Sequence, residues 1–321
     1  MRTHSRITRL LTTASDHQRC AVAQNHADQV ALLRRVHCKQ VVSPYRGIFA
    51  DAEYWALLNL TQKTMHIARA LMILHPSWVF AGPTSAAFHG FEHQWFIHRA
   101  GVYIADTANK SGKLHSTNLN RIYMATIPVC VIGGMRVTSI ARTLVDCGML
   151  LPFCQALAIF DSAFALTAVT ADEVRAACAA MHGDCAAIEL LLTYVDPRSE
   201  NGGESMLRGA TIEEGFVPPD LQRVFVNPRN GAERCRVDFS WTLPDGRIVV
   251  VEYDGMAKYV DPSMTGRRTI KAIVNQQNRR EQVLMAAGVS IIIRFDYDDL
   301  FNREKIVSLL TDAQVPRRFR L

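Results

Sequence analysis

The sequence lacks the features of a membrane-bound, exported or zinc-binding protein. Its apolar runs all stay short of the ~18 residues that a membrane span needs. The N-terminus carries basic residues but no apolar core of signal-peptide length. The eight cysteines are scattered singly, and no CxxC pair is present. We therefore predict a cytoplasmic protein with no membrane partner, no zinc site, and buried thiols in place of a disulfide framework.

Two further scarcities concern histidine and acidic residues. All eleven histidines lie at or before His182, so the C-terminal part has none. Residues 1–150 hold 16 Lys/Arg against 7 Asp/Glu, a net charge of +9, whereas residues 151–200 hold 2 against 7 and residues 201–321 hold 18 against 16. A basic N-terminal part suits contact with a phosphate backbone. A solvated basic surface has the same composition, so charge alone leaves both interpretations open.

The bulk composition is that of an ordinary globular protein with two or three domains. The 321 residues are 49% hydrophobic and 21% charged. We predict the α/β (α+β) class and three domains, at residues 1–50, 51–195 and 199–321. The last boundary is drawn from DPRSENGG (196–203), which is rich in turn formers.

The first 50 residues predict short helices followed by a small β-hairpin. The hairpin is indicated by VVSPYRGIFA, with its turn at PYRG (44–47). This is the outline of a winged helix-turn-helix, in which the last helix enters the major groove and the wing touches the backbone. A structural helix pair ahead of a β-turn would give a similar pattern. The candidate DNA contacts are Arg34, Arg35, Lys39, Tyr45 and Arg46.

Helical signals dominate the middle of the chain. TQKTMHIARALMILH (61–75) predicts an amphipathic helix. Ser139 is a predicted N-cap, and Thr170 with Glu173 predicts a capping box. Asp146 is interpreted as a buried, hydrogen-bonded structural acid.

Two predicted strands in the C-terminal part carry acids. RVDFSW alternates with a period of two, PDG (244–246) predicts a turn, and IVVVEYD follows. Asp238, Glu252 and Asp254 are therefore expected to lie close together. Several carboxylates at one strand end are costly unless a cation or a proton lies among them. This pattern predicts a divalent-metal site.

The surrounding segments predict the order helix, three-strand meander, helix, strand, helix. ESMLRGATIEEGF gives the first helix, an Asn-Gly turn in NPRNGAERC gives a hairpin, and a basic helix is predicted at 267–287. VSIIIRF is a buried-type strand, and DDLFNREKIVSLL gives the closing helix. The predicted domain is thus αβββαβ, followed by the closing helix.

This order resembles the restriction-endonuclease-like PD-(D/E)XK fold, and more narrowly the very-short-patch-repair-like endonuclease domains of bacterial proteins. The resemblance spans about 199–315 and rests on five pieces: ESxLR (204–208), the run from Pro219 into Gln222, VDF (237–239), VEYDG (251–255) and NRREQVLMAAG. It implies that Asp238 and Glu252, with Glu204, hold Mg²⁺ or Mn²⁺ for phosphodiester hydrolysis. It also implies that Gln222 orients groups near the scissile phosphate.

The sequence departs from that family at the catalytic lysine. Asp254 stands at the lysine position, Lys258 is the nearest replacement, and Arg280 on the following helix is the second. The family's histidines near the metal have no counterpart here. The candidate catalytic residues are Glu204, Gln222, Asp238, Glu252, Asp254 and Lys258, with Arg280 also a DNA contact. Alternatively, Asp238 and Glu252 are salt-bridged to Arg236, Arg267 or Arg280 and only hold the fold.

The N-terminal part resembles the AbiEi-type antitoxin family of toxin–antitoxin systems. The matching pieces are YRGIF (45–49), SAAFHGF (85–91) and VTSIARTLVD (137–146). This resemblance implies a winged-helix DNA-binding head, a repressor role and a cognate toxin or operon partner. Three hypotheses follow: a DNA-binding protein with a metal-dependent endonuclease domain, an antitoxin or repressor whose nuclease-like domain is degenerate, and a non-enzymatic interaction protein.

Overall fold

The computed structural model describes residues 2–108, 118–181, 184–255 and 270–318. These residues form two compact units, Met1–Leu151 with Ala168–Leu192 (unit 1) and Pro152–Thr167 with Thr193–Leu321 (unit 2). Both helices and strands are abundant, which confirms the predicted α/β (α+β) class. Within these described ranges, no helix is both long enough and apolar enough to cross a membrane.

The helices and strands follow one another in an order that mixes the two types throughout the chain. They are α1 (Arg2–Asp16), β1 (Ala21–Val22), α2 (His26–His37), β2 (Val41–Tyr45), β3 (Ile48–Asp51), α3 (Ala52–Leu57), α4 (Leu60–Leu74), α5 (Gly82–His89), a 3₁₀ helix (Trp95–Ala100), β4 (Val102–Asp106), β5 (Leu119–Tyr123), β6 (Val129–Ile132), β7 (Met135–Thr138), α6 (Ile140–Leu150), α7 (Phe153–Leu166), α8 (Ala171–Ala179), α9 (Ala186–Tyr194), α10 (Gly202–Glu213), β8 (Asp220–Asn227), β9 (Asn230–Thr242), β10 (Ile248–Asp254), α11 (Ile270–Ala286), β11 (Val289–Asp296), a 3₁₀ helix (Asp298–Phe301) and α12 (Arg303–Asp312).

The N-terminal part of unit 1 contains the predicted hairpin. Strands β2 and β3 pair antiparallel around Arg46 and Gly47, and Gly47 has φ 75°, which favours glycine at this turn. Strand β1 adds to β3, so the sheet order is β1-β3-β2. The helices α1 and α2 pack on this sheet through apolar side chains. The shared core contains Ile7, Leu11, Ala14, Ala21, Leu32, Val41 and Phe49.

Helix ends in unit 1 follow the local signals of the sequence. The helix predicted at 61–75 is α4, and the capping box of Thr170 with Glu173 is present at α8. Ser139 stands at the N-cap position of α6, but its side chain makes no capping hydrogen bond.

Asp146 is buried and accepts a hydrogen bond from Arg142 at 2.8 Å, as expected for a structural acid. Burial raises the pKa of the Asp146 carboxyl to about 6, although Arg142 opposes the shift.

Two cysteines of unit 1 correct the expectation of thiols without disulfides. Cys178, in α8, and Cys185, just before α9, are joined by a disulfide. They are seven residues apart, and their Cα atoms lie 6.1 Å from each other, within the range that a disulfide spans. No CxxC pattern accompanies this pairing, so spacing gave no signal for it.

Unit 2 is built on a four-stranded sheet with the order β11-β10-β9-β8. Strands β8, β9 and β10 form an antiparallel meander, and β11 pairs parallel with β10. The parallel pair follows because α11 carries the chain across the sheet between the two strands. Helix α7 also belongs to this unit, and α10 crosses it closely: a Cβ added at Gly209 would lie 2.7 Å from Cys154 Cα. The predicted order of helices and strands is thus present.

The turn between β8 and β9 lies two residues earlier than predicted. The turn residues are Pro228 and Arg229, whereas Asn230 and Gly231 begin β9. Asn227 Oδ1 accepts a hydrogen bond from Arg229 N at 3.0 Å and so closes the turn with its side chain. The hairpin prediction is therefore confirmed, but the Asn-Gly turn is wrong.

Candidate active site

Glu204 lies in the first turn of α10, and its position is set by the helix cap. Asn201 is the N-cap residue, and its Oδ1 accepts hydrogen bonds from Gly203 N and Glu204 N, both at 2.9 Å. The Glu204 side chain is directed into unit 2 and is 3% exposed. A carboxylate is thereby buried beside the strands that carry the other candidate acids.

Three nitrogen atoms surround this carboxylate. Glu204 Oε2 accepts hydrogen bonds from Glu200 N at 3.0 Å and Gln222 Nε2 at 3.1 Å, and Oε1 accepts one from Asn201 Nδ2. Burial, and after it the charge of Asp238, raises the pKa of the Glu204 carboxyl to about 7. Glu204 and Asp238 therefore repel each other when both are ionised, which is the condition that a cation would relieve.

Gln222 has an unusual backbone conformation within β8. Its φ is 55°, in the left-handed region that a residue other than glycine rarely adopts. Its Nε2 donates to Glu204, while its Oε1 is buried without a hydrogen-bond partner among the described residues. Strained backbone of this kind is concentrated at functional sites. The structure thus brings Gln222 to Glu204, as the sequence predicted for two residues of one site.

Asp238 links β9 to β10 through the backbone. Its Oδ2 accepts a hydrogen bond from Tyr253 N at 2.7 Å, just beyond the last ladder pair, Val251 with Phe239. This bond places Asp238 beside the backbone of residues 252–253. Burial raises the pKa of the Tyr253 hydroxyl to about 12, so this side chain stays neutral.

Glu252 is neutralised by arginines. Its Oε1 accepts a hydrogen bond from Arg280 Nε at 2.7 Å, and its Oε2 lies 3.5 Å from Arg294 Nε. Arg280 also donates to the backbone oxygen of Arg236, while the Arg236 side chain pairs with Glu200 instead of the acids of the site. Two guanidinium groups therefore stand where a metal would need a ligand. Of the arginines named above as possible partners of these acids, Arg280 pairs with Glu252.

Of the remaining candidate residues, Asp254 is described by the structure and Lys258 is not. Asp254 stands opposite Asp296 in the parallel ladder of β10 and β11. Lys258 and Arg267 lie outside the described residues. Within the described part of the chain, no group of three His, Cys, Asp or Glu side chains could hold a metal ion. The magnesium site on Glu204, Asp238 and Glu252 therefore stays a prediction.

The sequence interpretation missed Arg294 as a partner of Glu252. The two residues are opposite each other in the register of β10 with β11. The sequence signal for this ion pair was the arginine in the predicted strand VSIIIRF. Its partner follows from the register of β10 with β11, which the sequence does not specify. Asn201 could have been found, since Asn before a helix is a common N-cap.

The candidate DNA contacts of unit 1 lie on α2, on the loop after it and on the hairpin. Arg34, Lys39 and Arg46 are exposed. Arg35 donates to Thr8 Oγ1 at 3.3 Å and so joins α2 to α1. Tyr45 is half-buried. Three of the five predicted contacts are thus accessible cations.

No protein-family model matches this chain, and no curated protein matches it either. The resemblances to the nuclease-like and antitoxin families therefore rest on the sequence motifs. Both stay predictions.

The close approach of α10 to β10 gives a testable consequence for Gly203. A Cβ at Gly203 would lie 2.2 Å from Tyr253 Cε1, so an alanine must displace the ring or the helix. We expect Gly203→Ala to lower the free energy of unfolding by about 1–3 kcal/mol in urea denaturation. Gly231→Ala is the control, because a Cβ there meets nothing within 4 Å. Equal stability of the two variants would contradict this packing.

Proposed function

We propose that this protein binds DNA and that unit 2 is a nuclease-type domain that hydrolyses phosphodiester bonds with a divalent cation. The observation that carries the proposal is the buried carboxylate of Glu204, which accepts a hydrogen bond from Gln222 and whose pKa the charge of Asp238 helps to raise. The αβββαβ order of unit 2 and the resemblance to very-short-patch-repair-like domains support it.

Two of the three predicted carboxylates suit a divalent cation by their chemistry, and the third does not. Glu204 and Asp238 would hold Mg²⁺ or Mn²⁺, since hard cations prefer carboxylate oxygens. Gln222 Oε1, which has no hydrogen-bond partner among the described residues, could accept a hydrogen bond from water held by such a cation. Glu252 does not fit as it stands, because Arg280 and Arg294 neutralise it. When bound, a divalent cation would lower the pKa of water and shield charge at the phosphate.

A cleavage assay tests the proposal directly. Plasmid DNA is incubated with the full chain and Mg²⁺ or Mn²⁺, and nicked and linear products are quantified. We expect Asp238→Asn to lower the cleavage rate by about 100-fold or more, because it removes a carboxylate of the site. Asp245→Asn, a change in the turn between β9 and β10 at an acid bonded to Arg247, should cut like the wild type. Equal cutting by both variants, or no cutting by the wild type, contradicts hydrolysis.

The second candidate is a DNA-binding repressor or antitoxin whose nuclease-like unit does not cut. The ion pairs of Glu252 with Arg280 and Arg294 favour it, since they supply internally the positive charge that a metal would bring. The resemblance to AbiEi-type antitoxins adds a cognate toxin or operon partner to this candidate. Sequence-specific binding to the protein's own promoter region without cleavage would support it.

Both candidates require DNA binding by α2 and the hairpin β2–β3. The first support is the order helix, strand, helix, hairpin with the sheet order β1-β3-β2, which suits a winged helix. The second is the set of exposed cations on α2, on the loop after it and on the hairpin. We expect Arg34→Gln and Arg46→Gln each to reduce the slope of log K against log salt by about 1. Fluorescence anisotropy with labelled duplex DNA measures this slope. Arg175→Gln, whose arginine is already paired with Asp172 and Glu189, should leave it unchanged. If all three variants keep the wild-type slope, this surface does not contact DNA.

A further inference from the structure

A small cavity lies in unit 1 beside the hairpin, and we call it the hairpin cavity. It has a volume of about 190 Å³ and is bounded by β2, α3, α4 and the 3₁₀ helix Trp95–Ala100. Pockets for drug-sized ligands are roughly 300 Å³ or larger, so this one suits a ligand with a single ring. The side chains that matter to its chemistry are Tyr45, Trp55, Lys63, His98 and Arg99.

The charge of the hairpin cavity is positive. Lys63 and Arg99 line it, and no acidic residue of the described ranges does. Within the described chain neither cation forms an ion pair; the Lys63 ammonium lies 5.6 Å from the ring centre of Trp55. An anionic group on a ligand would therefore find two cations that no carboxylate of the described chain neutralises, beside an aromatic wall.

His98 adds a specific hydrogen-bonding requirement. His93 Nδ1 lies 2.6 Å from the backbone oxygen of Phe91, which only accepts, so this nitrogen carries the proton of His93. His93 Nε2 is then an acceptor with a single lone pair, and it lies 3.1 Å from Thr61 Oγ1 and 2.9 Å from His98 Nε2. Two unprotonated ring nitrogens would repel each other at 2.9 Å, so His98 Nε2 is a donor to His93. His98 therefore carries its proton on Nε2. Its Nδ1 is left as a bare acceptor.

That acceptor has no donor among the described residues. His98 is 3% exposed, and its Nδ1 is buried without a hydrogen-bond partner in the described chain. Burial, assisted by His93, lowers the pKa of the His98 imidazole to about 3, so the ring is neutral near pH 7. A buried acceptor without a donor is costly, and a ligand that donates a hydrogen bond removes this cost.

We propose that the hairpin cavity binds a small aromatic acid that carries a hydroxyl or N–H donor. The carboxylate pairs with Lys63 and Arg99, the ring packs on Trp55, and the donor reaches His98 Nδ1. Pro44 and Tyr45 of the hairpin also line the cavity. Occupancy therefore alters DNA affinity, a consequence that rests on the proposed DNA binding by the hairpin, whereas ligand binding itself does not.

Calorimetry on the full chain tests ligand binding with three probes: 3-hydroxybenzoate, 4-hydroxybenzoate and benzoate, which lacks the donor. We expect at least one hydroxybenzoate to bind with Kd on the order of 1 mM, as its size allows, and about fivefold more tightly than benzoate. Lys63→Gln and Arg99→Gln should each weaken it about fivefold or more. Arg136→Gln, an exposed cation on β7 away from the cavity, should not change it.

The outcomes separate this proposal from the proposed function. No binding of any probe up to about 10 mM, roughly tenfold above the expected Kd, overturns the site. Unchanged affinity in both charge variants also overturns it, and equal affinity for benzoate overturns the role of His98. Binding with the expected pattern, in a protein that retains no duplex DNA in the anisotropy assay, leaves the site standing and contradicts the proposed function.

Discussion

Replacing Arg208 with methionine is expected to destabilise unit 2 by about 3–5 kcal/mol, because it leaves the buried carboxylate of Asp161 without its counter-charge. Arg208 Nη2 donates to both oxygens of Asp161, at 2.8 and 2.7 Å, and its Nη1 donates to the backbone oxygen of Tyr194 at 2.7 Å. The two side chains are 4% and 1% exposed. Burial raises the pKa of Asp161, and Arg208 opposes that rise. The arginine thus holds α10 to α7.

Chemical denaturation followed by circular dichroism measures this loss. Arg175→Met is the control, because its ion pairs with Asp172 and Glu189 are exposed and removing them should cost little stability. The double variant Asp161→Asn with Arg208→Met should recover part of the loss, since it removes the stranded charge as well. A single variant as stable as the Arg175 control would show that this pair does not stabilise unit 2.

The second large effect is the pH dependence that Glu204 gives to unit 2. Its pKa rises from 4.5 to about 7 on folding. The folded state therefore binds the proton more tightly than the unfolded state. The contribution to stability is complete below pH 4.5 and is lost as pH rises through 7. In metal-free buffer, we expect the stability difference between the wild type and Glu204→Gln to change by on the order of 2–3 kcal/mol between pH 5 and pH 8.

The same experiment with Mn²⁺ distinguishes a metal site from a purely structural cluster. A cation needs the ionised carboxylate, so it should raise the unfolding temperature of the wild type more at pH 8 than at pH 5. Glu204→Gln should lose most of that gain, whereas Asp245→Asn should keep it. A wild-type response to Mn²⁺ equal to that of Glu204→Gln at both pH values would identify Glu204 as a structural acid and favour the repressor or antitoxin.

Local sequence signals predicted much of the framework because they describe short-range chemistry. The period of apolar residues predicted α4, and the Thr170 capping box depends only on residues three apart. The αβββαβ order of unit 2 followed in the same way. The prediction of a turn at Asn230-Gly231 was wrong because the side chain of Asn227, just before Pro228, closes the β8–β9 turn. The expectation of thiols without disulfides failed because the pairing of Cys178 with Cys185 depends on how close the folded chain brings them, which cysteine spacing does not reveal.

The acids of RVDFSW and IVVVEYD show which features the sequence could not predict. By itself it determined the class of the chain, the order of the strands and which residues could carry charge. The tertiary structure decided which charges meet: Asp238 lies near Glu204, while Glu252 is paired with Arg280 and with Arg294 on the neighbouring strand. The physical reason is range. Secondary structure is set by neighbours along the chain, whereas strand register and helix packing fix the counter-ions, the burial and hence the pKa of each acid.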